Sequence, residues 1–412
     1  MRLRGVTGRT GGWRWRSAAA AVVAASVLLS AGCSGSDKSA SPSWQGSGAS
    51  GSAAPSASPQ PPESTVAVTA PKAAATGVKA ITEIKYATDD PGNTSVVVTD
   101  SAGKEVKGTL DKDEKTFTPA SALGWGKKYT VTVTGTPSGD KIGTASSTFT
   151  VMKKPANLVR INSFLGDGSK VGVGMPIIMK FGRSVPESYR AAVERRMTVT
   201  AQPAQEGSWY WLSGTEMHWR PKTYWKAGSK VHYSVQLKGV EMGKGWYGRS
   251  DLTVDFNVGR SFVMTVSDKT KRMTVKQDGK VIKTIPVSLG KKSTPSSSGT
   301  MVVIEKKEHT VFDTMDELPE GEGYRTDIDY AQRITWGGQF IHAAPWSEGV
   351  QGRTNVSHGC VNVSEAMGKW LFDRTMMGDV ITVSGTPRDL KWGDGWTDWD
   401  VSWSQWKKGS AL

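Results

Sequence analysis

The chain has 412 residues, with 52 Lys and Arg against 38 Asp and Glu, and its formal net charge is +14. At about 100–200 residues per domain the length allows two to four domains, and 37% hydrophobic content excludes a wholly disordered or collagen-like chain. Only two cysteines occur, Cys33 and Cys360, which excludes a disulfide-stapled scaffold, a four-cysteine zinc site and an iron–sulfur cluster.

Residues 1–32 have the pattern of a secretory signal. Five arginines precede Ser17 to Ala31, an uncharged apolar run that is too short to cross a hydrocarbon core of about 30 Å. The run ends in Leu29-Ser30-Ala31-Gly32-Cys33, which resembles the bacterial lipobox, where cleavage precedes a lipidated cysteine. We expect Cys33 to anchor the protein to the outer face of the cytoplasmic membrane. An ordinary signal peptide with an incidental cysteine is the alternative.

Residues 33–65 are predicted to be a disordered tether. After Cys33, 25 of 32 positions are Ser, Gly, Ala or Pro, and such a composition cannot bury enough apolar area to order a chain. The tether would let the folded part work in the cell wall, away from the membrane. The five arginines leave with the signal, so the mature net charge falls to +9, and no nucleic-acid motif accompanies it.

Two immunoglobulin-like domains are predicted over residues 66–152 and 153–258. Short alternating runs separated by turn signals are typical of antiparallel sandwiches, and neither block contains a cysteine. The predicted strands include Thr94–Thr99, Tyr129–Thr134, Ser147–Val151, Leu158–Phe164, Met197–Ala201, Lys230–Leu237 and Leu252–Val258.

The second block is rich in tryptophan. We favour core or domain–domain packing for these rings, with carbohydrate stacking as the alternative. His218 and His232 stand among bulky neighbours, which favours structural roles over ligand binding. The tryptophans concerned are Trp209, Trp211, Trp219, Trp225 and Trp246.

Residues 259–386 are predicted to form a third, mostly β unit with one short helix around Ser364–Thr375. Asp278-Gly279 suits a type I′ turn and predicts a hairpin between Met273–Gln277 and Val281–Val287. Further strands are expected at Met301–Glu305, Ile328–Thr335 and Gly338–His342. The polar residues 306–325 are a candidate mobile flap that ends in Gly323-Tyr324-Arg325.

Cys360 stands in the segment Ser357-His358-Gly359-Cys360-Val361-Asn362, and His342 precedes it by 18 residues. A thiol is nucleophilic only as thiolate, and an imidazole can take its proton and later return it. His342 and His358 are the candidate bases. Gly359 allows close approach of substrate, and N–H groups around Gly359 and Cys360 could form an oxyanion hole.

Two interpretations compete with a nucleophilic Cys360, and a third keeps the nucleophile but assigns it to a different enzyme class. A buried structural cysteine beside a packed histidine is the simplest. A catalytic zinc held by His342, His358 and Cys360 satisfies a three-ligand count, although no second metal motif supports it. Papain-like peptidases place the histidine far downstream of the nucleophile, and here no histidine follows His358, which argues against that class.

Together these residues resemble the signature of the L,D-transpeptidases, whose catalytic domain is of the YkuD type. Trp346 after Ala-Ala-Pro and the Gly323-Tyr324-Arg325 segment resemble the actinobacterial members. The resemblance implies a mainly β chain of two immunoglobulin-like sandwiches, a YkuD-type β-sandwich catalytic domain and a Trp-rich C-terminal extension. It implies no cofactor and no metal.

The resemblance also implies an activity. Cys360 would attack a peptidoglycan donor tetrapeptide, release D-Ala and form a thioester, which the diamino acid of an acceptor stem resolves into a 3→3 crosslink. Carbapenem β-lactams would acylate the same thiol. His342 would be the general base, oriented through the Ala343 carbonyl, while His358 and Gly359 with the Cys360 N–H would shape the oxyanion site.

Five residues have implied roles in substrate binding, and Ala343, whose carbonyl orients His342, is one of them. Tyr324 would close over the donor stem, Trp346 would line the site, and Ser357 and Asn362 would fix the loop that carries the nucleophile. Two other functions stay open on the sequence: an L,D-carboxypeptidase that uses water as acceptor, and a wall-anchored scaffold protein with an inactive domain.

Residues 387–412 form the predicted C-terminal extension. Its tryptophans recur at spacings of 4, 3, 4 and 3, as on one helical face, but two glycines favour a loop that leads to a helix only after about Val401. We expect this stripe to pack against the preceding sandwich, with glycan stacking as the alternative. The stripe consists of Trp392, Trp396, Trp399, Trp403 and Trp406.

Overall fold

The computed structural model describes residues 65–89, 91–135, 143–313 and 325–412. Over these ranges the chain is mainly β, as the sequence predicts, and its strands form three successive groups of sheets. The predicted signal, Cys33 and nearly all of the tether lie outside the described residues, as does Tyr324. No helix in the described ranges is long and apolar enough to cross a membrane.

The first group consists of β1 Val66–Ala70, β2 Ala75–Val78, β3 Ile84–Thr88, β4 Thr94–Asp100, β5 Gly108–Asp111, β6 Thr116–Pro119, β7 Lys128–Gly135 and β8 Gly143–Val151, with a 3₁₀ turn at Pro91–Asn93. They form two four-stranded sheets in the orders β1-β3-β6-β5 and β2-β8-β7-β4. Strand β7 illustrates why these segments form strands with one buried face. Its residues Tyr129, Val131 and Val133 alternate with more exposed residues and enter the core.

The second group consists of β9 Leu158–Val159, β10 Ile161–Ser163, β11 Lys170–Val171, β12 Ile177–Phe181, helix α1 Glu187–Glu194, β13 Met197–Gln202, β14 Gly207–Trp211, β15 Glu216–Pro221, β16 Lys230–Val235, β17 Glu241–Gly243, β18 Trp246–Gly248 and β19 Leu252–Val258. Its sheets have the orders β10-β12-β15-β14, β11-β19-β16-β13 and β17-β18-β9. The single predicted strand Leu158–Phe164 is wrong, because the chain changes sheet at Arg160: β9 pairs with β18 and β10 with β12.

The tryptophans of the second group are mainly core residues. Trp209, Trp211, Trp219 and Trp225 are at most 6% exposed, which confirms the packing interpretation for these four. The half-buried Trp246 instead carries the Arg183 guanidinium over its ring, 4.3 Å from the centroid. A cation on an aromatic face is attracted by the ring quadrupole, so this ring too has a protein partner.

The third group consists of β20 Phe262–Ser267, β21 Arg272–Gln277, β22 Lys280–Pro286, β23 Ser297–Val302, β24 Glu305–Asp313, β25 Arg325–Arg333, β26 Phe340–Ala343, β27 Val361–Val363, helix α2 Glu365–Arg374, β28 Val380–Ser384 and β29 Arg388–Asp389, with a 3₁₀ turn at Pro345–Ser347. A six-stranded sheet has the order β22-β21-β20-β28-β23-β29, and a four-stranded sheet the order β24-β25-β26-β27. The predicted hairpin is confirmed: Asp278 and Gly279 have φ of 49° and 81° between β21 and β22, as a type I′ turn requires.

The core of the third group lies between its two sheets. Met264 on β20 and Ile381 on β28 belong to one buried cluster with Ile341 on β26 and Val361 on β27. The predicted helix is confirmed as α2, whose first turn is capped by the Ser364 side chain accepting from Met367 N–H. This packing anchors β26, which carries His342, and β27, which Cys360 directly precedes.

One strand prediction in this region is wrong. The strand expected at Met301–Glu305 begins at Ser297 and ends at Val302, because Gly299 and Thr300 are part of the strand. Of the region expected to be a flap, residues 306–313 belong to strand β24, which pairs with β25, and residues 314–324 lie outside the described residues. The polar residues of β24 are compatible with a strand because β24 lies at a sheet edge with most of its side chains exposed.

The C-terminal extension packs on the second group. A 3₁₀ turn at Asp398–Asp400 precedes α3 Trp403–Lys407, which begins with a Ser402–Gln405 capping box, so the predicted late helix is confirmed. The Trp406 indole is fully buried and donates to Ser208 O at 2.9 Å, and the Trp399 indole donates to Gly174 O at 2.7 Å. The expected packing of the stripe against the preceding sandwich is therefore confirmed.

Candidate active site

His342 and Cys360 are brought together by two adjacent parallel strands. His342 lies on β26, Cys360 directly precedes β27, and the register pairs His342 with Asn362. Both side chains line one cavity of about 450 Å³. An 18-residue separation in sequence is thus closed by strand pairing, as a catalytic pair requires.

The His342 ring has a fixed tautomer. It is 4% exposed, and Nδ1 lies 2.7 Å from the Ala343 carbonyl oxygen, which can only accept, so Nδ1 carries the proton and Nε2 is left basic. Burial lowers the pKa of His342 to about 4, although the hydrogen bonds with Ala343 and Asn362 act in the opposite direction. The imidazole is therefore neutral and ready to accept a proton at physiological pH.

The Cys360 thiol is also held in its neutral form. It is 9% exposed and lies 3.8 Å from the Gly338 carbonyl oxygen. Burial raises the pKa of Cys360 to about 12, and a hydrogen bond from the Phe340 N–H opposes that shift only in part. The resting pair is thus thiol and imidazole, and not thiolate and imidazolium.

The loop before β27 is held by the Ser357 hydroxyl. Ser357 Oγ donates to the Cys360 carbonyl oxygen at 2.7 Å and accepts from the Gly359 N–H at 3.1 Å. Gly359 has φ of 128°, which favours glycine. The Gly359 amide was expected to be an oxyanion donor, but here it is committed to Ser357, so the Cys360 N–H is the remaining backbone candidate.

The expected active-site residue His358 lies beside an ammonium group. Its ring is exposed, and Lys291 Nζ lies 3.1 Å from Nε2, so the ammonium donates to that nitrogen. Burial and the charge of Lys291 lower the pKa of His358. His358 lines the first cavity and also a second cavity of about 420 Å³, so it stands where the two meet, beside Cys360.

Trp346 and Asn362 border the same site. Trp346 is 61% exposed, lines the first cavity, and has its ring centroid 6.0 Å from that of His342. Asn362 is buried and its Nδ2 donates to Ser347 Oγ at 3.4 Å, which ties β27 to the 3₁₀ turn after β26. In the part of the chain that the structure describes, no cluster of three or more His, Cys, Asp or Glu side chains could hold a metal ion.

Sequence reasoning missed two groups that support the site. Ser296, in the loop before β23, donates to the Gly359 carbonyl oxygen at 2.7 Å, and Lys291 is the partner of His358 described above. Phe312, in the segment expected to be a flap, lines both cavities. No local pattern identifies these residues, because the site residues that they contact are distant in the sequence: Ser296 and Gly359 are 63 positions apart, and Lys291 and His358 are 67 apart.

The fold is that of an L,D-transpeptidase catalytic domain behind immunoglobulin-like domains. The family model described as "L,D-transpeptidase catalytic domain" matches residues 261–383, and the model described as "Bacterial Ig domain" matches residues 75–241. The chain is 35% identical to L,D-transpeptidase 2 of Mycobacterium tuberculosis over 345 residues, which cover 82% of this chain and 83% of the relative. It therefore belongs to the L,D-transpeptidase family.

Two further similarities accompany this one. L,D-transpeptidase 5 of Mycobacterium tuberculosis is 34% identical over 351 residues, which cover 83% of this chain and 76% of the relative. The solved structure of the LD transpeptidase LdtMt1 in complex with imipenem is 32% identical, with coverage of 56% of this chain and 100% of that chain and a TM-score of 0.48.

Proposed function

We propose that this protein forms 3→3 crosslinks between peptidoglycan stem peptides through a thioester on Cys360, with release of D-Ala. The observation that carries the proposal is that Cys360 lines two cavities, and that the buried, neutral His342 lines the first of them with it. Two cavities at one thiol give room for a donor and an acceptor peptide, which a transfer between two peptides needs.

The first half-reaction forms the thioester. His342 Nε2 takes the Cys360 proton as the sulfur attacks the carbonyl carbon between the third residue and D-Ala, and the carbonyl oxygen becomes an oxyanion. The oxyanion collapses, the carbon–nitrogen bond breaks, and the imidazolium gives its proton to the departing D-Ala amine. The raised thiol pKa and lowered imidazole pKa support a proton transfer that occurs with the attack and not before it.

The second half-reaction resolves the thioester. The side-chain amine of an acceptor stem attacks the thioester carbonyl and gives a proton to His342 Nε2. Collapse of the second oxyanion breaks the carbon–sulfur bond, and the leaving sulfur is reprotonated. One amide is exchanged for another, so the reaction needs no nucleotide and no cofactor.

We propose further that carbapenems acylate Cys360. A β-lactam carbonyl offers the same thiol a strained amide, and ring opening leaves no amine fragment to depart. The proposed location is the outer face of the cytoplasmic membrane, with Cys33 as the lipidated residue and the Ser/Gly/Ala/Pro segment as tether. The composition of residues 1–65 supports this location.

The decisive experiment incubates purified protein with disaccharide-tetrapeptides and follows the products by mass spectrometry. We expect free D-Ala and dimers linked through the third residues, and neither product from a Cys360→Ala variant. His232→Gln, at an exposed histidine paired with Asp255, is a control that should retain activity. Release of D-Ala without dimers would instead identify a carboxypeptidase, and activity in Cys360→Ala would refute the nucleophile.

A further inference from the structure

The Ser296 hydroxyl lies behind the peptide unit that joins Gly359 to Cys360. Ser296 is 1% exposed, and its Oγ donates to the Gly359 carbonyl oxygen at 2.7 Å, with the Cys360 carbonyl oxygen farther away at 3.5 Å. Ser296 Oγ also accepts a hydrogen bond from the Gly290 N–H at 2.9 Å. The Ser296 hydroxyl therefore accepts from Gly290 and donates its hydrogen to the nearer of the two carbonyl oxygens, that of Gly359.

The hydrogen bond from Ser296 to the Gly359 carbonyl also fixes the direction of the Cys360 N–H. A trans peptide unit is planar, so its C=O and its N–H point in opposite directions. When Ser296 holds the Gly359 carbonyl, it also holds the Cys360 N–H of the same plane, pointing away from Ser296. The next carbonyl, that of Cys360, is fixed by Ser357 Oγ at 2.7 Å, so both planes that flank the nucleophile are constrained.

The Cys360 N–H is available for a ligand. Among residues 65–89, 91–135, 143–313 and 325–412, it donates to no backbone acceptor outside the strand ladders and to no side chain. The neighbouring Gly359 N–H, by contrast, is occupied by Ser357 Oγ. An oxyanion on the carbon attacked by Cys360 could therefore accept a hydrogen bond from the Cys360 N–H.

We propose that Ser296 is a positioning residue that aims the Cys360 N–H at the oxyanion of the acylation step. This inference deepens the proposed function and rests on it. Ser296 acts through the backbone and touches neither the substrate nor the sulfur. A preorganised donor stabilises the transition state because it needs no reorganisation during the reaction, and loss of the Ser296 bond would let the peptide plane rotate.

The test compares two reactions of the same thiol. Acylation by meropenem passes through an oxyanion, whereas alkylation by iodoacetamide does not, so only acylation depends on the aim of the N–H. For Ser296→Ala we expect acylation at Cys360 to slow by about tenfold to a hundredfold, below the loss of about 10²–10³ seen when an oxyanion donor is removed outright. Alkylation at Cys360, measured on the same peptide by mass spectrometry, should keep its wild-type rate.

Two controls make the comparison specific. Ser298→Ala removes a hydroxyl two positions along the same segment, bonded to Thr386 Oγ1 at 2.6 Å, and should change neither rate. Ser296→Cys fills nearly the same volume with a weaker donor, so a folded variant should still show a lower ratio of acylation to alkylation, even if the alanine variant were unfolded.

Each result has one meaning. An unchanged ratio in the Ser296 variants, or acylation and alkylation that fall together, would overturn the positioning role and leave a packing role. Absence of any meropenem adduct at wild-type Cys360 would overturn the proposed function together with this inference. A normal wild-type adduct with a lower ratio in the Ser296 variants alone would support both.

Discussion

His342 donates from Nδ1 to the carbonyl oxygen of Ala343, the next residue in the chain, at 2.7 Å. The backbone therefore sets the tautomer of the base. A carbonyl oxygen orients the ring as a carboxylate does, but it carries no charge to stabilise an imidazolium. Together with burial, this explains why the pKa of His342 lies near 4 and not near that of free imidazole.

The first prediction concerns the acidic side of the pH profile. Because burial lowers the pKa of His342 to about 4, the base stays neutral well below the usual histidine range. We expect kcat/KM for D-Ala release to remain nearly constant from about pH 6 to pH 8 and to fall only toward pH 4. Steady-state assays of the first half-reaction check this, and an acidic midpoint near 6.5 would contradict it.

The second prediction concerns the free thiol. Burial raises the pKa of Cys360 to about 12, so the thiolate fraction at neutral pH is very small. Alkylation by iodoacetamide should be slow at pH 7 and should rise about tenfold per pH unit up to at least pH 9.5. Peptide mass spectrometry separates this residue from Cys33. A rate that reaches a plateau near pH 7 would show a preformed thiolate–imidazolium pair instead.

The third prediction tests the backbone of the nucleophile loop. Gly359 has φ of 128°, and a Cβ there would lie no closer than 3.7 Å to its nearest neighbour outside the adjacent residues, the Gln339 side chain, so Gly359→Ala introduces backbone strain and not a clash. We expect a cost of about 1–3 kcal/mol in the loop and a loss of activity of tenfold or more. Gly349→Ala, where φ is not positive and no heavy atom lies within 4 Å, is the matched control. Equal activity of both variants would refute the requirement.

The sequence was sufficient where a local rule determines the geometry. Asp278-Gly279 allows two successive positive φ values, so the hairpin could be predicted from two residues. Ser364 caps α2 directly, and the alternation in Leu252–Val258 matches β19 at both ends. The His342 and Cys360 motif likewise identifies the cavity that the two side chains share.

The sequence could not predict contacts between residues that lie far apart along the chain. Ser296 contacts Gly359 across 63 positions, and a serine in a loop carries no sign of that contact. The division of Leu158–Phe164 into two strands depends on which sheets lie beside it, and no residue in the run marks the point of division. Tertiary context decides such cases, as it does for the edge strand β24.

The fourth prediction concerns the C-terminal extension. Trp406 is fully buried, packs 4.9 Å from the Tyr210 ring and lies 4.7 Å beneath the Arg220 guanidinium. Trp406→Ala would leave a cavity and remove the indole hydrogen bond to Ser208 O, at a cost of about 3–5 kcal/mol. Differential scanning calorimetry should show a clear drop in Tm. Trp392→Ala, at a ring that is 39% exposed, should change Tm much less, and equal effects would contradict the burial argument.

The fifth prediction is a pH dependence of stability at the junction of the extension with the second sandwich. His218 is 1% exposed, with Nδ1 2.7 Å from Asp398 Oδ1 and Nε2 3.0 Å from Glu216 Oε1. Burial alone would lower the pKa of His218, but the charge of Asp398 and the hydrogen bonds to both carboxylates outweigh it and raise the pKa to about 9.

A histidine whose pKa is raised in the folded state stabilises the protein fully below its unfolded pKa, near 6.5, and that contribution is lost as pH rises through about 9. The Tm difference between wild type and His218→Gln should therefore be large at pH 6 and small at pH 9.5, with a pH-dependent part of about 3 kcal/mol at most. His232→Gln, at an exposed histidine paired with Asp255, controls for loss of an imidazole. A difference that is constant across this range would show that His218 is not charged in the folded protein.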